Sequence, residues 1–392
     1  MNRPTINTGL IGLTYKPIKW ASMSCSWSVG KMVGTWSLFC SFLSRFMALN
    51  GLNTYYFNAK KNGFKDSWKL KLYCLVHHLL CLVALGRMLY NSAGDMRISV
   101  SILTMGGTAG FCIHSCWQRR QGIRKLAQEL IRMEAKSFWG LPSGSMLRHR
   151  FYLKLVFVSI TLLRIHLFYP FYLKRLVPHL FLLNLGSYWL VYNMLLAAVF
   201  GFYCVMWQIC RSQEMINNRM LLLLTRTRQR NRLSEMTRCL KLYSKVLHLS
   251  DQVNLEYGHV SVCVLACKSW FQITFGYEIF QMVAAPQSID MSLGIRIFVF
   301  LSYILDAINL FYATDVAEMF IKLREDSWRI LRETNRMDRL LSMFTLKLSL
   351  HPQRVVFLNV FTFDRKLTLT LFAKSMLYTI CWLQGDYNKL KS

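Results

Sequence analysis

Four ionisable side chains stand where a long apolar sequence should exclude them: Arg164, Lys268, Glu278 and Asp306. Each lies within a run of about twenty mostly apolar residues, the length of helix that crosses a bilayer. By insertion scales a charge near the bilayer centre costs about 2.5–3.5 kcal/mol, so each of these residues needs a partner or a wet cavity. Their distances from the ends of the runs place Lys268 level with Asp306, and Arg164 level with Glu278. That predicts two ion pairs, Lys268–Asp306 and Arg164–Glu278; the alternative is that each residue snorkels or faces water alone. No enzymatic constellation accompanies them. There is no glycine-rich phosphate loop and no serine nucleophile elbow. Adjacent His77 and His78 would point about 100° apart on a helix, which makes a poor metal pair. Cys263 and Cys267 share a helical face but lack His or carboxylate company. The expectation is a chain with no catalytic site, no metal and no cofactor.

The elements that position these residues are seven apolar stretches, at roughly 70–90, 97–117, 151–172, 180–207, 260–284, 293–313 and 367–384. Nearly all the positive charge lies in every second gap. Segment 1–69 and gaps 118–150, 208–259 and 314–366 are rich in Lys and Arg, whereas 91–96 and 285–292 have none and 173–179 has only Lys174 and Arg175. Basic loops stay cytoplasmic. The fold class expected is therefore an all-α membrane protein with seven transmembrane helices, its N-terminus cytoplasmic and its C-terminus extracellular. In this frame Lys268 and Asp306 lie in the inner half of the membrane, and Arg164 and Glu278 in the outer half. A G-protein-coupled receptor has the opposite orientation. That alternative also lacks support from an Asp-Arg-Tyr after the third span or an Asn-Pro-x-x-Tyr in the seventh. A secondary transporter, the other alternative, would show paired repeats and broken helices.

The composition agrees: 54% of residues are hydrophobic and the formal net charge is +29. Charge of that size can signal nucleic acid, but here it follows the membrane sides, so the expected partner is anionic inner-leaflet lipid and not nucleic acid. The twelve cysteines avoid the outer loops and form no secreted disulfide framework. Residues 1–20 lack an apolar core, so the first span is expected to direct insertion. Residues 33–49 are apolar except for Arg45 and have basic flanks on both sides; they read as a helix on the cytoplasmic membrane surface.

The cytoplasmic gaps carry helical patterns. Leu233, Met236, Leu240, Tyr243 and Leu247 recur at spacings of three and four, and a second such series runs from Val316 to Leu341. These are either amphipathic helices on lipid or cytoplasmic extensions of spans four to six that pack together. Mixed charge in 314–366 favours packing. Aromatic residues collect toward the outer ends of spans three to six: Tyr169 and Tyr172, then Tyr188, Trp189 and Tyr192, then Phe275 and Tyr277. They form either an interfacial belt or a pocket for a small amphipathic ligand, with Glu278 and Gln281 as polar fixtures. In the last span Leu377, Cys381 and Gln384 fall near one face, which suits a narrow conduit or a simple meeting with the interface.

The last span also carries a resemblance. Insect gustatory receptors end in a signature of Thr-Tyr, five hydrophobic residues and Gln-Phe. Here Leu377 and Tyr378 are followed by Thr379 to Leu383, then Gln384 and Gly385, so the Tyr-to-Gln spacing is kept while Leu and Gly replace Thr and Phe. Phe363 and Asp364 stand where the family has them, and the run FDRKLTLTLFAKSMLYTICWLQ resembles the fly subgroup for bitter or aversive compounds. The family is similar to insect odorant receptors. The resemblance implies a tastant-gated, non-selective cation channel in the plasma membrane of gustatory sensory neurons, working as a homo- or hetero-tetramer. It implies that Gln384 faces the pore near its outer mouth with Cys381 and Leu377 deeper, that Tyr378 supports the helix, and that the small-molecule tastant binds in the outer half. It also divides the chain into an N-terminal segment 1–69, a six-helix bundle 70–313, a cytoplasmic anchor 314–366 and a pore helix with tail 367–392. Lys374, two turns before Cys381, is expected to turn aside or sit in a wide hydrated vestibule.

Overall fold

In the computed structural model the described residues are 29–58, 63–91, 96–138, 145–167, 170, 181–225, 232–284, 293–332, 339–350, 356–357 and 361–391. Nearly all of them are helical. In chain order the helices are α1 (Val29–Leu49), α2 (Trp68–Asn91), α3 (Met96–Gln118), α4 (Arg120–Met133) running into a π-helical turn (Glu134–Phe138), α5 (Ser145–Leu167), α6 (Phe181–Thr225), α7 (Arg232–Ala284), α8 (Leu293–Arg332), α9 (Arg339–Leu350) and α10 (Arg365–Lys391). Each of the seven apolar stretches overlaps a helix. Among the described residues, three helices are long and apolar enough to cross a membrane by length and composition, in 68–91, 185–224 and 293–332. Helices α3, α5, α7 and α10 cover the other four stretches, but Ser, Thr, Lys and Arg dilute their apolar content.

Two short antiparallel ribbons interrupt the helical pattern, and the sequence reading contains neither. Strand β1 (Tyr55–Asn58) pairs with β2 (Gly63–Asp66), Tyr55 opposite Asp66. Strand β3 (Val356–Phe357) pairs with β4 (Phe361–Thr362). In β1 the alternation that makes one side of a ribbon apolar buries Tyr55 and Phe57, and both rings meet Phe64 edge-on. Gly51 turns the chain from α1 into β1 at φ 72°, and a Cβ there would lie 2.6 Å from His77 Nδ1. Helix α1 packs against the bundle. Phe39 meets Phe151 of α5, Phe46 meets Phe200 of α6, and Met47 covers Gly201.

Helices α6, α7 and α8 contain 45, 53 and 40 residues, or about 68, 80 and 60 Å of helix, roughly twice the hydrocarbon thickness. Helix α6 is central: 72% of its apolar stretch is buried, against 39% in α2 and in α8. Its first half, to Cys204, packs in a core with α2, α3, α5 and the ends of α7 and α8 nearest their shared connection. Its second half, from Phe202 to Leu223, packs in another with Met236–Leu265 of α7, Leu310–Leu331 of α8, and Phe344 and Leu348 of α9. The expected helix extensions are thus continuous with their spans and pack on one another.

A buried polar cluster fixes the register of the second core. Gln213 Nε2 donates to Asn217 Oδ1 (3.0 Å) and to Ser327 Oγ (2.8 Å), Ser327 Oγ donates to Asn217 Oδ1 (2.6 Å), and Asn217 Nδ2 donates to the Leu323 carbonyl (2.6 Å). Asn217→Ala would leave a buried Gln213 donor without its acceptor and take one donor from the Leu323 carbonyl, while Ser327 keeps that carbonyl at 3.0 Å. The expected result is a loss of about 2 kcal/mol, read as a lower thermal midpoint of purified protein. An unchanged midpoint would show that the cluster contributes no net stability.

Candidate functional site

Helices α7 and α8 are consecutive and run antiparallel, so residues equally far from their connection meet. Gln272 Nε2 donates to the Tyr303 carbonyl at 2.8 Å, and one turn further in Lys268 Nζ lies 2.8 Å from Asp306 Oδ1. Helix α6 supplies a third group. The Tyr192 hydroxyl donates to Asp306 Oδ1 (2.9 Å) and accepts from Lys268 Nζ (2.8 Å) and from Arg164 Nη2 of α5 (2.7 Å). Arg164 therefore does not pair with Glu278. Its guanidinium turns to Tyr192 and stands 3.9 Å from Asp306, because the same carboxylate that attracts Lys268 attracts it too. The predicted Lys268–Asp306 pair forms, and Arg164 joins it through Tyr192, making one cluster of Arg164, Tyr192, Lys268 and Asp306, all buried.

Cations outnumber anions at this depth. Lys268 lies 4.4 Å over the Tyr192 ring, and Arg164 lies 5.7 Å over Phe298, so aromatic faces share in holding the charge. Lys154, also fully buried, donates to the Asn309 carbonyl (3.1 Å) and to Asn309 Oδ1 (2.9 Å), and Asn309 Nδ2 donates to Thr161 (2.8 Å). These partners are neutral, and among the described residues no carboxylate lies within ion-pair distance of Lys154. Arg164 Nε and Nη1 and Asp306 Oδ2 are buried without hydrogen-bond partners among the described residues. A cavity of about 30 Å³, room for a water molecule, reaches Lys268, Asp306 and Asn309 from the side of Phe363. A wider groove of about 390 Å³ runs between α5, α7, α8 and α10, with Gln272, Tyr312, Thr368 and Phe372 on its wall.

The aromatic residues divide. Tyr188 stacks on Tyr192 at 5.5 Å, Phe271 follows, then Phe275, which meets Phe298 edge-on at 6.1 Å. This column lies inside the bundle, next to the charged cluster. Trp189 points the other way, stacking on His166 and donating to the Ile165 carbonyl. Tyr277 and Gln281 face the last helix: Gln281 Nε2 donates to the Tyr277 hydroxyl, and Tyr277 meets Trp382. Tyr169 and Tyr172 lie outside the described residues. His78 is satisfied structurally. Its Nδ1 accepts from Trp117 Nε1 (2.9 Å), so its Nε2 carries the proton and donates to the Gly51 carbonyl (2.8 Å).

Helix α10 is two-sided. Buried Ser375 and Thr379 donate to the Ser269 and Ile273 carbonyls of α7, and Gly276 gives Thr379 its space; a Cβ there would lie 3.1 Å from the Thr379 hydroxyl. The other side bears Lys374, Leu377, Cys381 and Gln384, all exposed. Lys374 thus does not turn into the bundle. Tyr378, expected to support the helix, is 58% exposed; within this chain Thr379, the next residue, makes the supporting contact. At the start of α10 Arg365 bonds Asp315 of α8, which Arg150 of α5 also reaches at 2.6 Å, and Arg365 Nε lies 3.4 Å from Glu318. Burial alone would raise the Glu318 carboxyl, but the Lys322 hydrogen bond and nearby Arg365 hold it below the ordinary carboxylate range.

The sequence reading passed over Lys154, Asn309 and the Arg150–Asp315–Arg365 junction. Lys154 is near enough to the end of its apolar run to look like a snorkelling side chain, and only the packing of α5 on α8 turns it inward.

No curated protein sequence matches the chain. Among solved structures, the insect olfactory receptor OR5 from Machilis hrabei, in complex with eugenol, is similar in fold, with a TM-score of 0.67 at 11% identity. The alignment covers 91% of this chain and 99% of that receptor. The description of one family, 7tm chemosensory receptor, matches residues 40–389, from the middle of α1 almost to the end of α10. A match of that extent includes every helix that builds the buried cluster and the last helix beside it: the chain belongs to the 7tm chemosensory receptor family.

Proposed function

We propose that the chain is a subunit of a tastant-gated, non-selective cation channel, serving bitter or aversive compounds in the plasma membrane of gustatory neurons. Four such subunits, alike or mixed, would place their last helices around one pore. The observation that carries this reading is the two-sided α10. One side is seated on α7 through Ser375 and Thr379, while the other turns Lys374 and Gln384 out of the bundle, well inside an apolar stretch. Bare lipid is a costly neighbour for a lysine at that depth, whereas a hydrated conduit is not. Leu377 and Cys381 would form the deeper constriction, Gln384 the outer mouth, and Lys374 would sit in a wide vestibule. The basic gaps support a cytoplasmic N-terminus, and the packed extensions of α6 to α8 support an anchor on that side, reaching into 314–366.

The aromatic column under Tyr188 supports a small-molecule site in the outer half, and the similar olfactory receptor was solved with the small aromatic eugenol. Gating requires that the ligand bind the open state better than the closed one. The experiment is a patch-clamp recording of Gln384→Ala in cells where surface staining is normal. The expected result is a changed relative permeability among cations or a changed conductance, with currents that persist in excised patches without GTP. No change in either quantity would remove Gln384 from the pore, and currents that require GTP would favour G-protein coupling.

A further inference from the structure

The buried cluster is short of negative charge. Arg164, Lys268 and Lys154 are all nine-tenths or more buried; Asp306 is the carboxylate that Arg164 and Lys268 share, while Lys154 reaches only the neutral Asn309. Buried cations without compensation are among the most costly arrangements in a protein, and more so in a membrane. Arg164 holds the unspent capacity. One of its nitrogens, Nη2, binds Tyr192, while Nε and Nη1, on opposite sides of the planar group, have no partner among the described residues. An unspent guanidinium N–H of this kind gives a strong, charge-assisted hydrogen bond to a carboxylate oxygen. Around it stand apolar rings: Phe298 lies 5.7 Å from the guanidinium, Tyr192 5.6 Å, and Tyr188 stacks on Tyr192.

We propose that this receptor recognises organic acids in their anionic form, with the carboxylate received by an unpartnered N–H of Arg164 and the apolar body lying along the aromatic column. The inference rests on the reading of the bundle as a ligand-gated receptor, and it names the ligand class of that site. An anion entering here offsets one excess positive charge, which a neutral compound of the same shape does not. Lys268 stays committed to Asp306 and Tyr192, so Arg164 is the residue that distinguishes acid from amide.

The test uses the purified full-length receptor in lipid nanodiscs and follows its thermal unfolding. The probes are straight-chain carboxylates from acetate to decanoate and 3-phenylpropanoate, each beside its primary amide, with sodium chloride as the inorganic arm. The expected result is a concentration-dependent upward shift of the midpoint with at least one acid, absent with its amide and with chloride. Arg164→Gln should weaken that acid roughly tenfold to a hundredfold, and Arg164→Lys should retain part of the affinity. The acid–amide contrast is read on the unsubstituted protein, so it decides the matter even where Arg164→Gln does not fold. Equal protection by acid and amide, protection by chloride as strong as by any acid, or no protection by any acid would each overturn the proposal. Protection without any evoked current would overturn the channel reading alone. Current evoked equally by acids and their amides would overturn the acid reading alone.

Discussion

Asp306→Asn is expected to remove most of the folded protein from the cell surface. The substitution keeps the shape of the side chain and deletes the one carboxylate that Lys268 and Arg164 share, at 2.8 and 3.9 Å. Asparagine can still accept a hydrogen bond from Tyr192, so the loss is mainly of charge. Removing one partner of a buried ion pair costs about 3–5 kcal/mol, a large share of the roughly 5–15 kcal/mol that holds a typical domain folded. Lys268→Met should cost less, because Asp306 keeps Arg164 and the Tyr192 hydroxyl. Combining the two should recover part of the loss, since it removes the Lys268 charge that Asp306→Asn strands. Full recovery is not expected while Arg164 remains. Surface staining of tagged variants and the midpoint of purified protein give the readout, and the coupling in the double-mutant cycle gives the pair energy. Normal surface levels and an unshifted midpoint for Asp306→Asn would mean that the cluster does not hold the bundle.

Much of this architecture is legible in the sequence, for an identifiable reason. Apolar runs long enough to cross a bilayer are a strong signal, and the family match and the shared fold bear out a helical membrane protein with the inserted runs as helices. The continuity of α6, α7 and α8 is legible as well, since residues such as Met236, Tyr243 and Leu247 keep helical spacing past the runs and are buried. Depth along the membrane is legible too: it puts Lys268 beside Asp306. Azimuth around each helix is not. Arg164 and Glu278 share a depth, yet Arg164 points toward α6 and α8, and a count of residues from the membrane edge has no information about that rotation. The same gap explains Tyr192, read as one aromatic among many but in fact the hydroxyl that links two cations to a carboxylate. The β1–β2 ribbon is hidden for another reason. Its strands, four residues each, give no alternating run long enough to separate from a loop.

Asp315→Ala is expected to open the channel without ligand. Asp315 is 5% exposed and ties three helices at one level: its own α8, α5 through Arg150, and the first residue of α10 through Arg365. Just before that tie Phe363 is buried in the inner core, against Phe202 at 5.5 Å, so the inner end of α10 is pinned by charge and by packing. If the last helices line the pore, they cannot splay at this end while Arg365 stays on Asp315. The tie then stabilises the closed state relative to the open one, and only that difference shifts the balance. Arg365 and Arg150 are partly exposed, at 30% and 18%, so solvent screens the interaction and about 1–2 kcal/mol is a fair expectation in place of the full buried-pair cost. That is roughly a fivefold to thirtyfold shift toward the open state. The measurement is basal current as a fraction of current at saturating ligand, in cells matched for surface protein. Glu318→Gln is the milder companion: Arg365 Nε lies 3.4 Å from it, beyond close contact, so its basal current should fall between wild type and Asp315→Ala. A lower basal current in Asp315→Ala, with normal surface protein, would mean that the junction holds the open state, and the direction of gating at the inner end of α10 would have to be reversed.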